Sequence, residues 1–467
     1  METIKIDTPE LEALRAGLKG AAYVPGDKGY DEARAAWNLN AHQYPALVVV
    51  GEGAADVLAA VRLAREQGLG VGVMATGHGV AAPADGGVLI NTSRMKGVHV
   101  DPETRTARVE AGVKWADLAP EAAAHGLAGL QGSSSDVGIV GYTMGGGFGW
   151  LGRKHGFAAD SVKEADVVTA DGDLIKASAH ENADLFWGLK GGGGNFGIVA
   201  SLEFALYPIT HVYGGNLFYP PQRAAEVLEL YGRWSAGLPD EVTSGVAFMN
   251  FPPFEEIPEP LRGNSLIVMR FCYTGEGLQE KGEELLRPWR EAFGEPVMDT
   301  FGVMPYEAMD MISMDPVDPM GIYGHVEMLR ELSPEAAETL VKLAGAGSNS
   351  PLAFLELRQL GGALSRPPAE LLNPMGRSDC RFIMYGLGTT PTPEVAQAVQ
   401  EYLAYVADVA RPHTTGATYV NFLELDGASP ERVKAAYSPE DWERLVGLKD
   451  RYDPENLFRF NRNIPPS

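Results

Sequence analysis

The sequence predicts an α+β protein of two lobes, and three observations carry that expectation. Strand-like and helix-like segments alternate over roughly the first 200 residues. After Pro208 the chain becomes richer in proline and methionine, as in "FPPFEEIPEPLRG" and "MPYEAMDMISMDPVDPMG". There, alternating runs such as "GNSLIVMRFCYTG", "PLAFLELRQLGG" and "CRFIMYGLG" predict an antiparallel sheet covered by helices. Past about residue 412 the first style resumes. A chain of 467 residues is too long for one small core. The expected organisation is a first domain made of residues 1–207 and 413–467, with a second domain, 208–412, inserted between its halves.

The elements follow in order. In "AADVLAAVRLAREQG" (54–68), Val57, Leu58 and Val61 repeat at helical spacing and Gly68 is a stop signal. "VGVM" (71–74) reads as a short buried strand. "GVLINTS", "GVHVD" and "TARVEAG" read as successive strands, with a helix around "WADLAPEAAAHG". "ADVVTADGDLIKAS" (165–178) holds two β-branched runs joined at Asp171-Gly172, a hairpin signal. "ENADLFWGLKGGGG" is a helix ending in glycines, and "GIVASLEFALYP" (197–208) a strand closed by Pro208. The helix "PEVAQAVQEYLAYVADVA" (393–410) precedes the last segment.

Composition removes several function classes. The formal charge of −24 argues against nucleic acid and anionic membrane surfaces as partners. No apolar run approaches the ~18 residues of a membrane span, and "METIKIDTPELEALRAG" lacks the features of a signal peptide. Cys272 and Cys380 form neither a CxxC nor a disulfide framework, so a reducing cytoplasm is the expected location. Glycine stands out, with 56 in 467 residues, about 12% against an average of ~7%. Backbone that must approach a large ligand closely explains such clusters.

The familiar site motifs fail their tests. "GGGNFG" (192–197) fits GxGxxG, but a helix precedes it and a strand follows, the reverse of a dinucleotide-binding turn. The nine histidines show no HExxH or paired spacing, so no metal site is expected. There is no P-loop and no GxSxG elbow, and "GSSSDVG" offers a serine without identifiable partners.

One histidine remains. "VMATGHGVAAPADGG" (73–87) sets His78 between Gly77 and Gly79 after an apolar run. One reading is a turn histidine bonded to its own loop. The other is an imidazole nucleophile beside backbone N–H groups that form an anion nest for a diphosphate.

Four segments resemble flavoprotein oxidases of the vanillyl-alcohol oxidase type, berberine-bridge-enzyme-like branch. They are "TGHGVAAPADGGVLINTSRMKGVHVDP" (76–102), "GSSSDVGIVGYTMGGGFGWLGRKHGFAADSV" (132–162), "DLFWGLKGGGGNFGIV" (184–199) and "ERVKAAYSPEDWERLVGLKDRYDPENLFRFNRNIPP" (431–466). The resemblance implies a bilobal fold: a PCMH-type FAD-binding domain built from both chain ends, and an inserted substrate domain whose sheet roofs the flavin. It implies FAD bonded covalently to His78 through the 8α carbon. Met74, Ala75, Thr76, Gly77 and Gly79 would hold the pyrophosphate, with Ala82 also at the cofactor. Ser134, Val137, Gly138, Gly141, Thr143, Gly146 and Gly149 would run along the isoalloxazine. Gly197, Ile198 and Val199 would follow the adenine and the ring edge, and Asn461 would sit near the flavin.

Departures from the family pattern sharpen the expectation. Many members carry a second tether, a cysteine bonded to flavin C6; Ser134 stands in that place, so a single covalent bond is expected. Ile139 follows the "VG" of the second segment, where a smaller residue looks like oxidase behaviour; molecular oxygen is the expected acceptor, and a non-oxygen acceptor is the alternative. The family's "YxNY" reads "YVNF" here, with Phe422 in the place of a catalytic tyrosine. For the proton released with the hydride, Glu356 is the candidate base, on one strand face with Phe354 and Arg358. Its alternative is a carboxylate paired with Arg358 or Arg381 on an exposed face. Tyr142 is placed either to donate a hydrogen bond over the ring or to pack in the core, and Tyr419 is a weaker base. Arg270, Arg330, His325 and Tyr323 stay unassigned, and Trp150 and Phe148 read as core or pocket wall. The expected activity is oxidation of a small organic substrate, an aromatic or polyketide-like alcohol or amine. A dehydrogenase, or a flavin-binding protein without catalysis, is the alternative.

Overall fold

The computed structural model describes residues 6, 8–366, 373–376 and 380–467. Its α+β architecture is built on three sheets. The first holds β1 (Ala21–Tyr23), β2 (Leu47–Val50), β3 (Val71–Met74) and β4 (Val88–Asn91) in the order β1-β2-β4-β3. β2 and β3 run parallel to β4, and helix Ala54–Glu66 supplies the crossover that a parallel connection requires. Val57, Ala60, Val61 and Ala64 of that helix share one core with Leu47 and Val49. β3 departs from the buried strand expected, because Val73 is 45% exposed and lines a cleft.

The second sheet is antiparallel, with β5 (Val98–Asp101), β6 (Thr106–Glu110), β7 (Val162–Val168), β8 (Leu174–Ser178) and β9 (Ile198–Ala205) in the order β5-β6-β9-β7-β8. β7 and β8 form the hairpin read from Asp171-Gly172, and Gly172 takes φ 77°. Arg62 donates to the Gly172 carbonyl at 2.7 Å, tying this turn to the crossover helix.

The third sheet joins β10 (His211–Tyr219), β11 (Val242–Asn250), β12 (Ser265–Tyr273), β13 (Met298–Asp299), β14 (Gly302–Pro305), β15 (Ile322–Leu329), β16 (Phe354–Gln359) and β17 (Phe382–Thr389). The order is β13-β10-β12-β11-β16-β17-β15, with β14 also on β10, and every pairing is antiparallel. Strand alternation sorts its residues. Met269, Phe271, Leu357 and Met384 pack with Tyr231, Trp289, Leu340 and Leu403 of the covering helices. Their sequence neighbours Arg270, Arg358 and Tyr385 face the other way, into the cleft.

The last segment returns to the first sheet. Val71 donates its N–H to the Leu457 carbonyl at 2.8 Å, and Gly72 bridges to Phe460. A buried ammonium fixes this arrangement: Lys449 Nζ donates to the Asp453 carboxylate at 2.7 Å and to the carbonyls of Asn195 and Phe458. No helix among the described residues is long and apolar enough to cross a membrane.

Candidate active site

The glycine-rich loops and the open face of the third sheet enclose a cleft of about 1310 Å³. That exceeds the ~300–1,000 Å³ of ordinary small-ligand sites and suits a dinucleotide together with a second molecule. Met74, Ala75, Thr76, Gly77, His78, Gly79 and Ala82 line one wall. Ser134, Val137, Gly138, Gly141, Gly197, Ile198, Val199 and Asn461 also line it. Three residues placed along the ring from the sequence do not. Thr143 is 1% exposed, Gly146 lies against Met375, and Gly149 is closed off by the Gln131 backbone, so these three pack behind the lining.

Backbone geometry explains two of the glycines. Gly77 has φ 79°, and a Cβ there would stand 2.6 Å from Ala36 Cα. Gly141 faces open space, with nothing within 4 Å of an added Cβ. The N–H groups of Thr76, Gly77, His78 and Gly79 donate to no acceptor among the described residues, as a diphosphate nest requires.

His78 is held on both sides. Its ring stacks on Trp37 with centroids 4.4 Å apart, and Nδ1 lies 2.9 Å from Thr76 Oγ1. Nε2 is buried without a hydrogen bond, 3.8 Å from Oδ2 of Asp136, whose other oxygen Lys114 engages. Burial pulls the imidazole pKa down to about 4 against the opposing pull of Asp136. At neutral pH the ring is therefore uncharged and holds a lone pair. Ser134 is 8% exposed at the place of a second tether, and neither Cys272 nor Cys380 lines the cleft. The orphaned imidazole nitrogen, the N–H nest and the side-chain-free approach at Gly141 fit an FAD.

Glu356 shares a strand face with Phe354 and Arg358, but it does not line the cleft. It is 1% exposed, and ion pairs from Arg270 and Arg358 occupy its two oxygens. Burial raises its carboxyl pKa, yet the two guanidiniums override that and hold it below the ordinary value. A carboxylate so stabilised is a poor proton acceptor, which corrects the role expected for Glu356; its partner Arg358 is the one foreseen, and Arg270 takes the place of Arg381. Tyr142 lines the cleft while its hydroxyl donates to the Leu130 carbonyl at 3.2 Å and its ring meets Trp115 edge-on, so packing accounts for it. Tyr419 is 3% exposed, stacks on Phe157, and burial raises its phenol pKa far above the ordinary value.

Two residues escaped the sequence reading. Glu424 lines the cleft, its Oε2 has no hydrogen-bond partner, and burial pushes its pKa up to about 7 while Arg462 pulls it back. Tyr385 stacks on Phe422 with centroids 4.4 Å apart, so the roof sheet supplies a phenol beside the position where the family's tyrosine is missing. Glu424 stands two residues beyond "YVNF", inside a segment already notable, but only its burial reveals it. Among the described residues no cluster of three metal-ligating side chains occurs.

Residues 45–178 match the family described as FAD binding domain, and residues 418–465 the one described as berberine and berberine like. A carbohydrate oxidase of Microdochium nivale is 32% identical over 498 aligned residues, covering 97% of this chain and 95% of that protein. The chain belongs to the berberine-bridge-enzyme-like flavoproteins of the vanillyl-alcohol oxidase family. The (R)-6-hydroxynicotine oxidase of Paenarthrobacter nicotinovorans is 29% identical, covering 97% of this chain and 98% of its own. The crystal structure of 6-hydroxy-D-nicotine oxidase from Arthrobacter nicotinovorans superposes with TM-score 0.82 at 27% identity, over 99% of this chain and 100% of that one. Physcomitrella patens BBE-like 1 shares the fold, with TM-score 0.83 at 20% identity over 98% and 99% of the two chains. This berberine-bridge-like flavoprotein is thus an FAD-linked oxidoreductase.

Proposed function

We propose that the protein is an oxidase that holds FAD through one covalent bond to His78. It would oxidise a small organic molecule, an aromatic or polyketide-like alcohol or amine, with molecular oxygen as electron acceptor. His78 carries the reading: a neutral imidazole with an orphaned nitrogen, clamped by Trp37 and Thr76, in a cleft that no thiol lines. FAD held there would supply the hydride acceptor and the redox chemistry that oxygen use needs.

The chain's own residues do the rest. Met74, Ala75, Thr76, Gly77 and Gly79 would hold the pyrophosphate, and Val137, Gly138, Gly141 and Val199 would meet the ring. Glu424 takes the proton that leaves as the substrate loses its hydride, because an acceptor works best with a pKa near the operating pH. Ile139, whose bulk would favour another acceptor, is 0% exposed and sits in the core rather than the cleft, which supports oxygen use.

Acid denaturation tests the anchor. In the parent the yellow colour and the mass of one FAD stay with the polypeptide, and in His78→Ala they do not. Free FAD released from the parent would sink the covalent role. Photoreduced enzyme mixed with air should reoxidise far faster than with oxygen excluded; sluggish reoxidation alongside fast dye reduction would make it a dehydrogenase.

A further inference from the structure

We propose that the roof of the cleft is a binding site for one anionic oxygen, so that the substrate is an apolar, ring-sized molecule carrying a carboxylate or a phenolate. This rests on the cleft being the substrate site of an FAD-linked oxidase.

The site is built by sheet register. Gly245 on β11 lies opposite Arg270 on one neighbouring strand and opposite Arg358 on the other. A Cβ added at Gly245 would stand 3.0 Å from the Leu357 carbonyl and 3.9 Å from Arg270 Nε. Both side chains are buried, at 4% and 10% exposure. Glu356 is the carboxylate that pairs with them, and its two oxygens are spent on Arg270 and on Nε of Arg358. Two guanidiniums against one carboxylate leave a positive charge.

That charge has unused donors. Beyond Glu356, Arg270 donates to the Ser313 carbonyl at 3.4 Å and lies 5.8 Å from the centroid of the Trp150 ring, and its Nε is buried without a hydrogen-bond partner. The two terminal nitrogens of Arg358 have no hydrogen-bond partner among the described residues. Asp315 also lines the cleft and acts on Arg358 through space, yet no ion pair within 4.0 Å joins them. Glu424 is set against Arg462 instead. A buried guanidinium left with free N–H groups is costly, and its planar fork matches an oxyanion.

The surroundings define the rest of the molecule. The Arg358 guanidinium lies 5.3 Å from the centroid of the Phe422 ring, which Tyr385 extends by stacking. Farther out, Met249, Phe251, Phe254, Ile257, Leu261 and Met314 line the cleft. These six side chains gain from covering an apolar ligand, and the polar Asn250, Asp315 and Ser350 line the cleft beside them.

The test is calorimetric titration of the FAD-loaded protein with matched pairs of probes: 2-naphthoate against 2-naphthamide, and 4-nitrophenolate against 4-nitroanisole. At least one anion should bind about tenfold or more tightly than its uncharged counterpart, and which one does so identifies the oxygen. Arg358→Gln should erase that preference while leaving the uncharged probe within about twofold. Because Arg358→Gln strips a partner from buried Glu356, the triple variant Arg270→Met, Glu356→Gln and Arg358→Gln removes every charge of the cluster together and should also lose the preference. Equal binding of anion and counterpart in the parent overturns the site, and so does a preference that survives both variants. Flavin retention after acid reports on the His78 anchor separately, so the two readings fail independently.

Discussion

The imidazole of His78 and the indole of Trp37 lie 4.4 Å apart and 15° from parallel. Trp37 is itself tied in two directions. Its backbone N–H donates to the Thr76 carbonyl at 3.0 Å, and its indole N–H donates to the Val317 carbonyl at 2.7 Å. The neighbouring Asn38 amide reaches the Ile322 carbonyl at the start of β15. The proposed anchor is thus oriented by a residue bonded both to its own loop and to the chain that carries the roof.

Trp37→Ala should therefore lower the fraction of flavin that survives acid denaturation while FAD still enters the cleft, and Trp37→Phe should restore most of it. Absorbance of the denatured polypeptide against total flavin measures this. An unchanged acid-stable fraction in Trp37→Ala would make the stacking irrelevant to attachment.

Gly77→Ala places a Cβ 2.6 Å from Ala36 in a residue at φ 79°. Left-handed backbone at a non-glycine residue costs about 1–3 kcal/mol before the clash is relieved. The expected result is a lower Tm by calorimetry and little flavin on the purified protein. Gly141→Ala meets nothing within 4 Å and should leave the Tm of the apoprotein unchanged while weakening FAD binding.

What the sequence made legible follows physical range. Local signals translated directly: the Asp171-Gly172 turn became the β7–β8 hairpin, and "GNSLIVMRFCYTG" became a strand with Met269 inside and Arg270 toward the cleft. Most of the cofactor loop was readable because the residues are contiguous. The proposed proton acceptor and the full pairing of Glu356 were not, because both depend on burial and on partners beyond the local pattern. Glu356 is held ionised by Arg358, two positions away and legible in the sequence, together with Arg270, 86 positions away. Glu424 gains its basicity from burial that no local pattern encodes. Val73 failed in the other sense, since an apolar strand residue facing a cleft looks like one facing a core.

Lys449 is 0% exposed, and its four-residue-distant partner Asp453 is as well. Asp453 also accepts the N–H groups of Leu457 and Phe458, so the pair fixes the turn that carries Asn461 to the cleft. Removing one partner of a buried ion pair costs about 3–5 kcal/mol. Lys449→Ala should lose about that much by urea unfolding, with weaker flavin retention during dialysis. Lys449→Met with Asp453→Leu should recover part of the stability, because no uncompensated charge stays buried.

Glu424 gives the pH dependence. Burial raises its pKa from 4.5 to about 7, and Arg462 is the charged group that opposes the shift. As proton acceptor it must be ionised, so turnover should rise with pH through about 7. Glu424→Gln should lower turnover by about 10²–10⁴-fold and remove that limb. In Glu356→Gln the limb should persist in whatever activity remains, because the Glu356 carboxyl is held below its ordinary value and does not titrate there. Stability runs the other way. A carboxyl with a raised folded pKa favours folding in its protonated form, fully below 4.5, and that contribution is lost as pH rises through about 7. The Tm of Glu424→Gln apoprotein should match the parent near pH 4 and exceed it by a growing margin up to pH 7. Two variants with interchanged profiles, Glu356→Gln losing the limb and Glu424→Gln keeping it, would return the base to Glu356.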